Sequence, residues 1–110
     1  MNEKVKNAFD TMCDAISQYR ITVTNQLKEN GKEMPLENGY SEDEPLVINA
    51  IDDKCEAITF ELDKARYSEK HGYVEFHAVS VNYNETDEWI PYYSLGSEDL
   101  YAMENIVWED

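Results

Sequence analysis

Residues Ile58–Tyr83 read ITFELDKARYSEKHGYVEFHAVSVNY, and the way this run folds back on itself decides the architecture of the chain. Taking Glu69-Lys70-His71-Gly72 as a loop and pairing outward sets Ile58 opposite Tyr83, Phe60 opposite Val81 and Leu62 opposite Val79 on one face. The same register sets Arg66 against Glu75 and Lys64 against His77, so that face turns polar toward the loop. The opposite face does the reverse: Tyr67 meets Val74 and Ala65 meets Phe76 near the loop, while Glu61/Ser80 and Thr59/Asn82 lie farther out. A single register thus yields apolar pairs, an opposite-charge pair and a polar set, as cross-strand pairing favours. Because the apolar side changes face along the hairpin, a flat sheet with one dry face does not fit. A strongly twisted ribbon wrapped round a core does.

Working outward from the hairpin, Leu46–Ile51 reads as a strand turned by Asp52-Asp53-Lys54 into the strand from Cys55 to Tyr67. Downstream, Asn84-Glu85-Thr86-Asp87 reads as a second turn, with Glu88–Tyr93 returning so that Tyr83 meets Glu88, Ile90 meets Val81 and Tyr92 meets Val79. Pro91 lacks an N–H, which places this strand at an edge or a bulge. Gly96-Ser97 turns once more; Ser97-Glu98-Asp99 suits the start of a short helix, and Asn105–Trp108 is expected to form a strand after a helical turn. Upstream, Val5, Phe9, Met12, Ile16, Tyr19, Val23 and Leu27 recur by fours and threes, one helical stripe that Asn30-Gly31 stops. The β-branched cluster Ile21-Thr22-Val23-Thr24 is a point where such a helix could break. Residues 31–45, with Pro35, Gly39 and Pro45, form an acidic connection. The expectation is one α+β domain over residues 1–110: a long N-terminal helix to residue 30, an acidic linker, and from residue 46 a strongly twisted antiparallel meander of four or five strands, approaching a barrel. Phe9, Ile16 and Val23 are expected to pack on Ile58, Phe60, Val79, Val81 and Ile90.

The charge is anomalous and unevenly placed. The chain has a formal net charge of -15. Residues 1–32 hold five cations against four acids, and the rest holds Lys54, Lys64, Arg66 and Lys70 against twenty acids. Such a field repels nucleic acid and anionic membrane and attracts basic surfaces. Met1-Asn2-Glu3-Lys4 begins no apolar signal run and no stretch approaches membrane-spanning length, so a cytoplasmic protein is expected. Cys13 and Cys55 stand in unlike contexts and read as reduced, half-buried residues. The glycines are scattered in turns and build no phosphate loop. His71 and His77 stand in a loop and a strand with no cleft-forming cluster around them, and Glu42-Asp43-Glu44 and Asp52-Asp53 lack the ligand alternation of a calcium loop. No cofactor, no metal and no enzymatic activity are expected.

In being small, strongly acidic and rich in tyrosine on a β scaffold, the chain resembles the DNA-mimicking inhibitors of phages and mobile elements, among them anti-restriction and anti-CRISPR proteins. That resemblance rests on size and charge and carries over no individual residue. It implies carboxylates set where phosphates would lie, at about one charge per 1.7 Å of duplex. The expected partner is then a basic surface of a nuclease or other nucleic-acid-handling protein, engaged through Glu61, Asp63, Glu75, Glu85, Asp87 and Glu88, acids that should be exposed, with Trp89 and Tyr92 as aromatic anchors. The alternative is an interaction or scaffolding domain that uses the N-terminal helix, paired with a partner or a second copy, or the aromatic sheet edge.

Overall fold

The computed structural model describes residues 2–37 and 44–108. Helix α1, Glu3–Asn30, opens on Asn2, whose side chain accepts a hydrogen bond from the Lys4 N–H. It closes on Gly31 in the left-handed region at φ 64°, with the Gly31 N–H donating to the Leu27 carbonyl. The β-branched cluster does not break it. Thr22 and Thr24 donate their hydroxyls to the carbonyls of Gln18 and Arg20 one turn back, which lets both sit inside the helix.

Five antiparallel strands follow: β1 Met34–Pro35, β2 Leu46–Ile51, β3 Ala57–Ser68, β4 Tyr73–Val81 and β5 Asn84–Pro91. β2 to β5 form a meander in chain order, and β1, from within the expected linker, joins the free flank of β3 beyond β2. The sheet is open, with β5 at one edge. In the central hairpin Phe60 pairs with Val81, Glu61 with Ser80, Lys64 with His77, Ala65 with Phe76, Arg66 with Glu75 and Tyr67 with Val74, and the loop is Glu69 to Gly72 as the pattern required. Gly72, at φ 77°, closes it by donating its N–H to the Ser68 carbonyl.

The expected pair Leu62–Val79 is replaced by Leu62–Ala78. The register shifts on either side of this pair, leaving Val79 as an extra residue in β4 and Asp63 as an extra residue in β3. Each bulge reverses the alternation of its own strand beyond that point. Phe60 and Leu62 therefore share the buried face with Ala65, Val74, Phe76 and Ala78, although their positions differ in parity. The change of apolar face along the sequence is absorbed by two offsetting bulges in an open sheet.

The second turn lies earlier than expected. Asn82 and Tyr83 form a two-residue loop, with Val81 paired to Asn84 and both loop residues at positive φ, 51° and 64°. The Asn82 side chain fixes this loop to the neighbouring strand by accepting from the Thr59 N–H, while its own N–H donates to the Thr59 carbonyl. Tyr83 consequently leaves the ladder, Ile90 pairs with Phe76 instead of Val81, and Tyr92 lies beyond the strand.

After Pro91 the chain makes 3₁₀ turns from Tyr92 to Glu98, kinked at Gly96 (φ 60°), and then helix α2, Asp99–Glu104. The expected strand at Asn105–Trp108 shrinks to one bridge, Ile106 to Leu36. The buried cluster joins Val23 and Leu27 of α1, Leu95, Ala102 and Met103 after the sheet, and the inner side chains of β2 to β5. Ile16 is only partly buried and Phe9 is exposed, because α1 outruns the sheet it packs on. At 1.5 Å per residue its 28 residues extend about 42 Å. A bidentate ion pair, Arg20 Nε and Nη2 each 2.9 Å from a carboxylate oxygen of the buried Asp99, fastens α1 to α2.

Candidate functional site

The outer face of the sheet carries the polar residues. β5 contributes Glu85, Asp87 and Trp89, β4 contributes Glu75, His77 and Ser80, and β3 contributes Glu61, Lys64 and Arg66, with Asp63 turned toward them by its bulge. Of the eight residues expected to meet a partner, six come together here: Glu61, Asp63, Glu75, Glu85, Asp87 and Trp89. Glu88 is exposed along the β5 edge. Tyr92 is on the other side, half-buried against the core.

The six are not uniformly free carboxylates. Glu75, expected on the surface, is 4% exposed, with Arg66 paired to it and the Arg66 guanidinium stacked on Trp89. Arg66 Nε donates to Glu75 Oε1 at 3.1 Å, and the guanidinium carbon stands 3.8 Å from the centre of the Trp89 ring. That arrangement satisfies a buried charge with a hydrogen-bonded partner and a cation–π contact. Glu61 Oε1 accepts from the Ser80 hydroxyl at 2.5 Å. At the next level His77 bridges two strands: Nδ1 lies 2.7 Å from Asp63 Oδ1 and Nε2 lies 2.5 Å from Asp87 Oδ1. The Trp89 ring is 5.1 Å away, centre to centre.

A neutral imidazole has one N–H and could donate to only one of these carboxylates; the imidazolium donates to both. Burial acts first, disfavouring the charged ring. The hydrogen bonds to Asp87 and Asp63 outweigh it, and the His77 pKa is raised. The same bond and the charge of the ring lower the pKa of Asp87. Chemically this is a clamp. When protonated, with both ring nitrogens engaged by carboxylates on opposite sides, His77 has no lone pair to offer a substrate or an ion. Among the described residues, no three His, Cys, Asp or Glu side chains converge as metal ligands.

The clamp was not legible beforehand, since it needs the Asp63 bulge and the shifted β5 register. The one signal present was the pairing of His77 with Lys64, which set His77 on the same polar face. Acids free of such partners gather at one end of the sheet. There the β2–β3 turn brings Asp52, Asp53 and Glu56, and the start of β5 brings Glu85. Asp52 is engaged in its own turn, accepting from the N–H groups of Lys54 and Glu56. Glu42 and Asp43 lie outside the described residues. A shallow cleft of about 650 Å³ opens beside this turn, lined by Ile51, Asp52, Asp53, Ile58, Phe60, Tyr93 and Ser94.

No helix among the described residues is long and apolar enough to cross a membrane. Compared with protein-family models, curated proteins and solved structures, the chain matches none.

Proposed function

We propose that this chain is an acidic, cytoplasmic binding protein whose β5 edge and adjoining turns dock on a basic, nucleic-acid-handling surface of another protein and exclude the nucleic acid from it. One observation carries the reading: acids within the sheet are matched by Arg66 and His77, whereas Glu85, Glu88, Asp53 and Glu56 are exposed around one end and edge. Self-repulsion of such a group lowers the stability of the folded state, and folding offers nothing in return. A positively charged groove does, by steering and by screening it. The role is one of occupancy, and the His77 clamp serves it by holding β3, β4 and β5 in one register behind the acidic edge.

The test uses the whole chain as bait. Wild type and the variant Asp53→Asn/Glu56→Gln/Glu85→Gln/Glu88→Gln are immobilised, and captured proteins are identified at low and high salt. The expected result is retention of a basic nucleic-acid-binding protein by wild type, its loss from the variant, and its release by duplex DNA or by salt. Capture indifferent to the four substitutions and to salt overturns the reading. It would favour the second one, an interaction domain, for which the exposed apolar stripe of α1 is the specific observation.

A further inference from the structure

We infer that two copies of this chain pair through the N-terminal half of α1, antiparallel, about a twofold axis near Met12. From Glu3 to Ala15 every residue of the helix is exposed, including Val5 at 58%, Phe9 at 55% and Met12 at 51%. A helical stretch of about a dozen residues with nothing packed on it is marginal in water. An apolar stripe along it is what a second surface covers.

The geometry is self-complementary. Val5, Phe9, Met12, Ile16 and Tyr19 are spaced four, three, four and three, so an antiparallel copy centred on Met12 sets Val5 opposite Tyr19 and Phe9 opposite Ala15 and Ile16. At that level α1 and α2 enclose a groove of about 450 Å³ lined by Met12, Ala15, Ile16, Tyr19, Leu100 and Glu104. The small side chain of Ala15 leaves room for the Phe9 ring of the second copy between Ile16 and Leu100. The twofold axis makes the same contact twice, as an isologous interface requires.

Charge selects a second copy as the occupant. Residues 3–19 carry Lys4 and Lys6 against Glu3, Asp10 and Asp14, a net of -1, so this stretch lets two chains of net charge -15 meet without confronting their acidic halves. Lys6 of the second copy falls at the level of Gln18 and Tyr19, where Glu104 offers an exposed carboxylate. The half-exposed Val5, Phe9, Met12 and Tyr19 leave on the order of 100 Å² each, so four per copy bury about 800 Å² in all, with Ile16 adding a smaller share, the size of a weak, transient interface. Weak, concentration-dependent pairing is the expected behaviour of so small an interface. Screening of the acidic halves should tighten the dimer as salt rises, the opposite of what the proposed acidic docking does, so the two readings fail independently.

Sedimentation equilibrium between about 1 and 500 µM tests the pairing. The expected mass rises from one chain to two. Phe9→Glu and Met12→Glu, both surface changes in the single chain, should raise the dissociation constant at least tenfold while the circular dichroism of the dilute protein stays unchanged. A short bismaleimide reports the orientation in a Cys55→Ser background. Cys13, one residue from the axis, should cross-link to its copy. Val5→Cys with Cys13→Ser should not, because antiparallel copies separate those positions by about 21 Å along the axis. A mass of one chain throughout, an unaffected Phe9→Glu variant, or cross-linking at position 5 as strong as at 13 overturns the inference.

Discussion

His77 is the residue on which the outer face turns. Its folded pKa is raised, so its contribution to stability is fully present below its unfolded value of 6.5 and is lost as pH rises through the higher folded value. Denaturant unfolding followed from pH 6 to 9 should show wild type losing about 1–3 kcal/mol, the worth of hydrogen bonds to a charged group. His77→Gln, already weakened at pH 6, should show a flat profile over that range. Asp87, with a lowered pKa, works the other way. Its contribution is present above 3.8 and is lost as pH falls through the lower folded value. Tyr83 is the second informative residue. At φ 64° and 73% exposed it carries left-handed strain with no packing in exchange. Tyr83→Gly makes the Asn-Gly loop that two-residue hairpins prefer and should raise stability by about 0.5–1 kcal/mol in urea titration.

Among the elements, the attachment of α1 depends on few contacts: the buried Val23 and Leu27 and the ion pair from Arg20 to Asp99. The pair is lopsided, with the Asp99 side chain 1% exposed and that of Arg20 34%. Removing the partner that can reach water therefore does more harm than removing the one that cannot. Arg20→Met strands a buried carboxylate and should cost about 3–5 kcal/mol. Asp99→Asn leaves a guanidinium free to turn outward and should cost less, about 2 kcal/mol. Equal losses from the two in thermal or denaturant unfolding would mean that the pair does not anchor the helix. Asp63 and Val79 matter in the same structural sense. Each bulge alone would put half of its strand's apolar residues in water, and together they keep the hairpin in register.

For the whole molecule, charge density governs behaviour. A chain of net charge -15 repels itself when compact, so the melting temperature should rise by a few degrees as sodium chloride goes from about 0.02 to 0.3 M. Sodium sulfate at matched ionic strength should do much the same over that range if screening is the cause. The Asp53→Asn/Glu56→Gln/Glu85→Gln/Glu88→Gln variant should respond less than wild type. A melting temperature indifferent to salt would place these acids too far apart to repel, and would remove the physical ground for an acidic docking edge.

The α+β class, the span of α1 with its Asn30-Gly31 stop, the strand Leu46–Ile51, the Glu69–Gly72 loop and the pairs Phe60–Val81 and Arg66–Glu75 were all readable from the sequence. Each rests on a short-range cause: helical or strand periodicity, a glycine at positive φ, or opposite charges across a ladder. The grouping of six of the eight proposed site residues was not readable: the pattern set Glu61 and Glu75 on opposite faces and Glu85 and Asp87 in a turn, and only the bulges and the earlier turn bring them onto one surface. The tertiary structure alone decided what needs distant residues to agree. A tight turn at Asn82-Tyr83 was hidden because no glycine marks it, and the Thr59 contacts that hold it come from 23 residues away. The stacking of Arg66 on Trp89 beside Glu75 depends on the shifted β5 register, and the His77 clamp needs Asp63 as an extra residue in β3. Alternation along a strand gives only relative facing. Where that alternation resets is fixed by the core, which gains by keeping Phe60, Leu62, Ala65 and Phe76 on one dry face and tolerates two bulges to do so.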